Sequence, residues 1–196
     1  MFALAYLLDE RVARGAFVAA SLFWILVAPV WLARGVSAQQ RVALATSGLL
    51  VLVPAALALV LLRPGQVLQV LVLVWIADSA AYFVGRRWGR RKLAPSISPG
   101  KTWEGAWGGI AGAALYAMIG ATFLTGIARL PAYLALAVVL AAISIVGDLF
   151  ESAAKRQADV KDSGTLLPGH GGILDRIDSA TAVLPVAALV FFYSRP

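Results

Sequence analysis

Six of the ten acidic residues fall in one stretch, Gly147 to Asp178, GDLFESAAKRQADVKDSGTLLPGHGGILDRID. They are Asp148, Glu151, Asp159, Asp162, Asp175 and Asp178, and with them stand Lys155, Arg156, Lys161, Arg176 and the only histidine, His170. Long apolar runs flank the stretch, 131–147 before and 179–193 after. Charge wedged between such segments is expensive to bury, so the stretch reads as a site rather than a solvated hairpin. If the first run continues as helix, Asp148, Glu151, Ser152, Lys155 and Asp159 share one face at i, i+3, i+4, i+7 and i+11. The run from Lys161 through Asp162 to Gly164 would end that helix. Pro168-Gly169-His170-Gly171-Gly172 cannot be helical; its glycines allow close backbone approach to a ligand, and serial N–H groups can cradle an anion. Asp175 and Asp178 then open the next helix at i, i+3. Carboxylates facing each other from two helices, with bases around them, make a hard-cation site beside a polyphosphate site. For His170 two readings stay open, a turn histidine bonded to backbone and a general base.

Asp78 lies inside an apolar run, VLVLVWIADSAAYFVGRR, eight residues before Arg86, so about 12 Å below the following loop. A carboxylate inside a span costs about 2.5–3.5 kcal/mol, which points to a polar cavity; Ser79 and Tyr82 extend that polar side. The rival reading of Asp78 is a hydrogen-bond partner between helices. Five bases crowd Arg86 to Lys92, which reads as topology and lipid-headgroup contact. Ser98-Pro99-Gly100-Lys101-Thr102 differs: turn residues, a lysine, hydroxyls and a helix start at Thr102 suit phosphate binding. The Walker A spacing is absent. Thr102 also reads as a helix cap, with Gly105 where a capping box would place Glu.

The elements that must hold these residues are membrane helices. Of the 196 residues 61% are hydrophobic and 14% charged, against about 45–50% and 25% in soluble domains. The expectation is an all-α, polytopic integral membrane bundle of about six transmembrane helices, one catalytic domain over 1–196, with a polar site on the cytoplasmic face. The spans run near 16–33, 42–62, 66–85, 104–127, from 131 past Asp148, and 174–193. Residues 1–15 read as an interfacial segment, Arg63-Pro64-Gly65 as a tight turn, and no cleavable signal is evident. Glycines 105, 108, 109, 112 and 120 let one helix approach its neighbour closely. Placing 86–103 inside gives twelve bases on the cytoplasmic side and five outside, so both polar loops face the cytoplasm. That asymmetry accounts for the net charge of +7 without nucleic acid. With no cysteine, disulfides and thiolate metal sites are excluded.

Ser152 to Asp178, SAAKRQADVKDSGTLLPGHGGILDRID, resembles the signature of the phosphatidate cytidylyltransferase (CDP-diacylglycerol synthase) family. Gly147-Asp148-Leu149, Ser98 to Trp103, and Asp78 with Tyr82 resemble its other blocks, in order, so that the resemblance covers about residues 40–195. It implies a multispanning inner-membrane enzyme that joins CTP and phosphatidic acid to give CDP-diacylglycerol and pyrophosphate. It also implies Mg²⁺, with K⁺ as candidate second cation, and a homodimer as candidate assembly. Carried over by position, Asp148 and Asp175 are the metal ligands, and Lys155, Arg156, Lys161 and Arg176 the phosphate partners. Asp148, Asp175, Lys161, Arg176 and Lys101 form the expected catalytic set. Asp78, Ser98, Thr102, Lys155, Arg156, Asp162, His170, Gly171, Gly172 and Asp178 form the expected substrate-binding set. Relatives carry more hydrophobic sequence ahead of the first block, which implies a short form or a truncation here, and Glu or Gln at 104, so Glu104 is not an obligatory acid. Two rivals stand beside this reading: a CTP-dependent lipid kinase, which would release CDP, and an intramembrane cation or proton carrier using Asp78, Asp148 and Asp175.

Overall fold

The computed structural model describes residues 10–34, 41–124, 129–160, 162–164 and 172–193. Six helices make up most of it: α1 (Glu10–Arg34), α2 (Arg41–Leu61), α3 (Pro64–Trp88), α4 (Trp103–Leu124), α5 (Leu130–Gln157) and α6 (Leu174–Tyr193). Four of them, α1, α3, α5 and α6, are long and apolar enough to cross a membrane. The expected all-α membrane bundle is therefore present, with six helices of which four meet that measure. α1 already begins at Glu10, so residues 10–15 are helical and continuous with the first long apolar helix. Arg63 caps α3 with Pro64 at its first position, where a missing N–H removes no helical bond.

One element escapes the all-helical expectation. β1 (Lys92–Ala94) and β2 (Ser98–Thr102) form an antiparallel hairpin between α3 and α4, pairing Lys92 with Thr102 and Ala94 with Ser98.

α6 is the central helix. Its stretch from Ser179 to Ala188 is wholly buried, and α1, α2, α3 and α5 all pack on it. α5 closes on α6 at Gly147, where a Cβ would stand 2.7 Å from the Ala182 Cβ. α4 closes on α3 along Gly105, Gly109 and Gly112: a Cβ at Gly105 or Gly109 would meet the Ala81 or Ala77 carbonyl oxygen at 2.8 and 2.9 Å. Small residues of this kind let helices associate in lipid, where hydrophobic pressure between them is absent. α1 contains a wide π-helical turn, Phe23–Val27. Around it Phe23, Trp24 and Trp31 set their rings 5.4, 5.5 and 5.6 Å from that of Phe150 on α5, the first two edge-on.

The helix carrying Asp148 ends earlier than its periodicity suggests. α5 stops at Gln157, and Asp159 takes φ +54 beyond it. Asp159 is thus exposed in the turn and is not the fifth member of the Asp148 face.

Candidate active site

Four chain segments meet at one end of the bundle: the last turns of α3 and α5, the first turns of α6, and the hairpin running into α4. Between them lies a cavity of about 770 Å³. Its lining includes Asp78 and Arg86 of α3, Ser98, Lys101 and Thr102 of β2, Asp148 of α5, and Asp175, Arg176 and Asp178 of α6. Residues separated by up to 100 positions thus share one polar chamber.

The hairpin is fixed from below. Thr102 is buried, and its Oγ1 accepts the Gly105 N–H at 3.1 Å, which caps α4 as the helix-start motif requires. The Glu104 carboxylate accepts the backbone N–H groups of Arg90, at 3.0 Å, and Arg91, at 3.2–3.3 Å. Trp103 N–H donates to the Arg91 carbonyl at 2.9 Å. Glu104 therefore holds the hairpin base as a hydrogen-bond acceptor. These bonds present Lys101 to α5, where its ammonium is ion-paired with the Asp148 carboxylate.

A second knot ties α5 to α6. Lys155 Nζ lies 2.8 Å from Glu151 Oε2 and 2.7 Å from Asp175 Oδ1. Asp175 Oδ2 accepts three further bonds, from Gly172 N–H at 2.7 Å and from the Ser163 N–H and Oγ–H at 2.9 Å each. One carboxylate thus grips both sides of the α5–α6 connection. Gly172 is required for this: a Cβ there would stand 2.4 Å from Ser163 Oγ.

Asp78 receives a bond from the Ser144 hydroxyl at 3.3 Å, and the Ser179 hydroxyl donates to the Ser144 carbonyl at 3.4 Å. Both serines are buried, at 1% and 2% exposure. This polar thread links α3, α5 and α6, so both readings of Asp78 hold at once: it faces a polar cavity and bonds a neighbouring helix. Asp78, Asp148 and Asp178 lie close enough to repel one another. Like charges gathered around a cavity are a standing demand for cations.

Asp78, Ser98, Lys101, Thr102, Asp148, Asp175, Arg176 and Asp178 therefore come together as expected. Lys155 stands behind the cavity wall, occupied by two carboxylates, and the Gly172 N–H is taken by Asp175. Arg156 and Asp162 are exposed and do not line the cavity. The expectations for Lys161, His170 and Gly171 lie outside the described residues. Sequence reasoning missed Ser144 and Ser179; it placed Tyr82 on the polar side of Asp78 but not its hydroxyl's bond from the Arg86 guanidinium, at 3.0 Å. A serine inside an apolar run carries no periodic signal; only the neighbouring Asp78 hinted at a partner.

All direct candidates for a metal are carboxylate oxygens, a hard donor set that suits Mg²⁺. Among the described residues no group of three Asp, Glu, His or Cys side chains stands at metal-binding spacing. The protein here offers one or two ligands, which fits a cation whose remaining positions are filled by water and substrate phosphate.

The comparisons agree with this chemistry. The model of a cytidylyltransferase family matches residues 2–194. The phosphatidate cytidylyltransferase of Pseudomonas aeruginosa is 50% identical over 152 residues, 74% of this chain and 56% of the relative. That of Haemophilus influenzae is 51% identical over 130 residues, 64% and 45% of the two chains, and that of Bacillus subtilis 52% over 118, 58% and 42%. The chain spans about half the length of the curated relatives it matches. With nearly its whole length matched, and with a chamber lined by carboxylates and bases at one end of its helical bundle, the chain belongs to the cytidylyltransferase family.

Proposed function

We propose that the chain carries the site of a phosphatidate cytidylyltransferase, converting CTP and phosphatidate to CDP-diacylglycerol and pyrophosphate. The observation that carries this reading is the single cavity in which Asp78, Asp148, Asp175 and Asp178 meet Lys101, Arg86 and Arg176. The names of the relatives support it. The base count supports an inner-membrane orientation with the cavity toward the cytoplasm.

A phosphate oxygen of phosphatidate attacks the α-phosphorus of CTP. The new P–O bond forms as the bond from the α-phosphorus to the α,β-bridging oxygen breaks, and pyrophosphate leaves with that electron pair. The nucleophile is already ionised near neutral pH, so no general base is needed. Every reactant is an anion, so catalysis is charge neutralisation and in-line positioning. Lys101, Ser98 and the start of α4 hold nucleotide phosphates, with Arg176 facing them across the cavity. Lys155 fixes Asp175, Lys161 is a further phosphate partner, and Arg156, Asp162, His170, Gly171 and Gly172 are further substrate-binding residues.

Asp148 and Asp175 would hold Mg²⁺, with Asp178 and Asp78 adding negative charge beside them; K⁺ is the proposed second cation. Bound Mg²⁺ supplies charge stabilisation to the phosphate oxygens and the leaving pyrophosphate. The test is product analysis with α-labelled CTP, phosphatidate and Mg²⁺ on the reconstituted chain. Labelled CDP-lipid with release of pyrophosphate is expected. Labelled CDP with no label in lipid would make the protein a lipid kinase, and no nucleotide turnover would favour a carrier.

A further inference from the structure

Arg86, Arg87, Arg90, Arg91 and Lys92 are all exposed, where α3 ends and the hairpin begins. Among the described residues none of these five side chains is ion-paired with a carboxylate. Glu104 accepts the backbone N–H groups of Arg90 and Arg91 and forms no ion pair with either side chain, although the Arg91 charge acts on it. Three indoles stand exposed beside them: Trp88 closing α3 (62%), Trp103 opening α4 (49%) and Trp107 one turn further (63%). A run of exposed bases next to exposed tryptophans suits an anionic membrane surface, by its charge and by the interfacial preference of indole. Topology alone asks only that the charge lie on this side. The structure also makes the patch continuous with the cavity, because Arg86 and Leu93 line it. Arg86 is held in place by the Tyr82 hydroxyl.

We propose that Arg87, Arg90, Arg91 and Lys92 form a docking surface for anionic lipid headgroups, which passes phosphatidate by way of Arg86 into the cavity. That the lipid is a substrate rests on the proposed reaction; that it docks by charge does not. The surface acts on capture and leaves the chemical step alone. Its removal therefore weakens the use of lipid at low surface density and spares the nucleotide.

The test uses the full chain in phosphatidylcholine nanodiscs, with Arg87, Arg90, Arg91 and Lys92 all replaced by Gln, and a second variant in which the three arginines become Lys. Gln keeps the Arg90 and Arg91 amides that Glu104 binds. The first readout needs no turnover: quenching of tryptophan fluorescence by brominated phosphatidate, phosphatidylglycerol or phosphatidylcholine at equal mole fraction. Wild type and the Lys variant should be quenched more strongly by both anionic lipids than by phosphatidylcholine, and the Gln variant equally by all three. In the second readout the Gln variant should raise the surface KM for phosphatidate about fivefold or more, fivefold being the scale of losing one juxtamembrane charge of the four, with kcat and the KM for CTP unchanged. Anionic preference undiminished in the Gln variant would overturn the proposal. So would an unchanged lipid KM. If the wild type shows anionic preference but makes no CDP-lipid, the docking surface stands and the proposed reaction falls.

Discussion

Lys101 and Asp148 form an ion pair across the gap between the hairpin and α5, with about a quarter and a third of their side chains still accessible. Each therefore holds the other and ties the hairpin to α5. Under the proposed reaction, nucleotide phosphate would take the lysine and free Asp148 for the cation.

This predicts asymmetric consequences for the pair. Lys101→Ala should lower kcat/KM for CTP by about 10²-fold, in the range seen on removing one charge-stabilising donor. Asp148→Asn should abolish turnover and the Mg²⁺ dependence of CTP binding while the protein stays folded. Titration calorimetry of CTP with and without Mg²⁺, beside a turnover assay, measures both. Full Mg²⁺-dependent activity in Asp148→Asn would remove it from the metal site.

Asp175→Asn should fail in two ways. Turnover should be lost, and thermal stability in detergent should fall by roughly 1–3 kcal/mol, because Lys155 loses one of its two charged partners and weaker bonds reach Ser163 and Gly172. Asp159→Asn, in the turn beyond α5, should change neither. A differential scanning measurement that finds Asp175→Asn as stable as wild type would refute the stitching role.

The α3–α4 seam predicts a glycine contrast within one helix. Gly109→Ala pushes a Cβ toward the Ala77 carbonyl, beside Asp78, and should cost about 1–3 kcal/mol with a loss of activity. Gly120→Ala, where nothing lies within 4 Å, should be neutral or stabilise by about 0.5–1 kcal/mol. Equal thermal midpoints for the two variants would contradict the close approach.

Glu104→Gln should retain most activity, since one amide oxygen still accepts from the hairpin base. Glu104→Ala removes every acceptor and should lower activity and loosen the hairpin. The check is amide hydrogen exchange at Arg90 and Arg91 alongside turnover; an inactive but well-protected Gln variant would make Glu104 part of the chemistry.

The chain contains no cysteine, so single labels report sidedness cleanly. Lys92→Cys and Asp162→Cys should react with an impermeant maleimide from the same side of oriented vesicles, and reaction from opposite faces would break the single-cavity reading.

The helices and the acidic stretch were legible because a membrane permits few exceptions: apolar runs of span length must be helices, and charge beside them must have a purpose. Asp78, Asp148, Asp175 and Asp178 stood out on that rule, and Lys101 on its turn-rich motif before a helix start. Three features did not. The hairpin sits in RRKLAPSISPGKT, where bases and prolines hide any alternation, and it exists because the chain must reverse between two helices packed glycine to alanine. Asp159 fits the helical period, yet the helix had already ended, and periodicity does not mark where a chain turns. Asp175 reads from sequence as an open carboxylate; its hold on Ser163 and Gly172 depends on loop closure over 12 and 3 residues, which no local pattern records.

The wide turn in α1 sets the rotational phase of everything after it. Phe23 and Trp24 lie inside it and Trp31 beyond it, yet all three reach the same ring, Phe150, two residues from Asp148. One residue removed from Phe23–Val27 would turn the remainder of α1 by about 100°, carrying Trp31 off that ring. A single-residue deletion in a helix that contributes nothing to the cavity lining would thus reach Asp148 as a change of angle, with composition and hydrophobicity almost untouched.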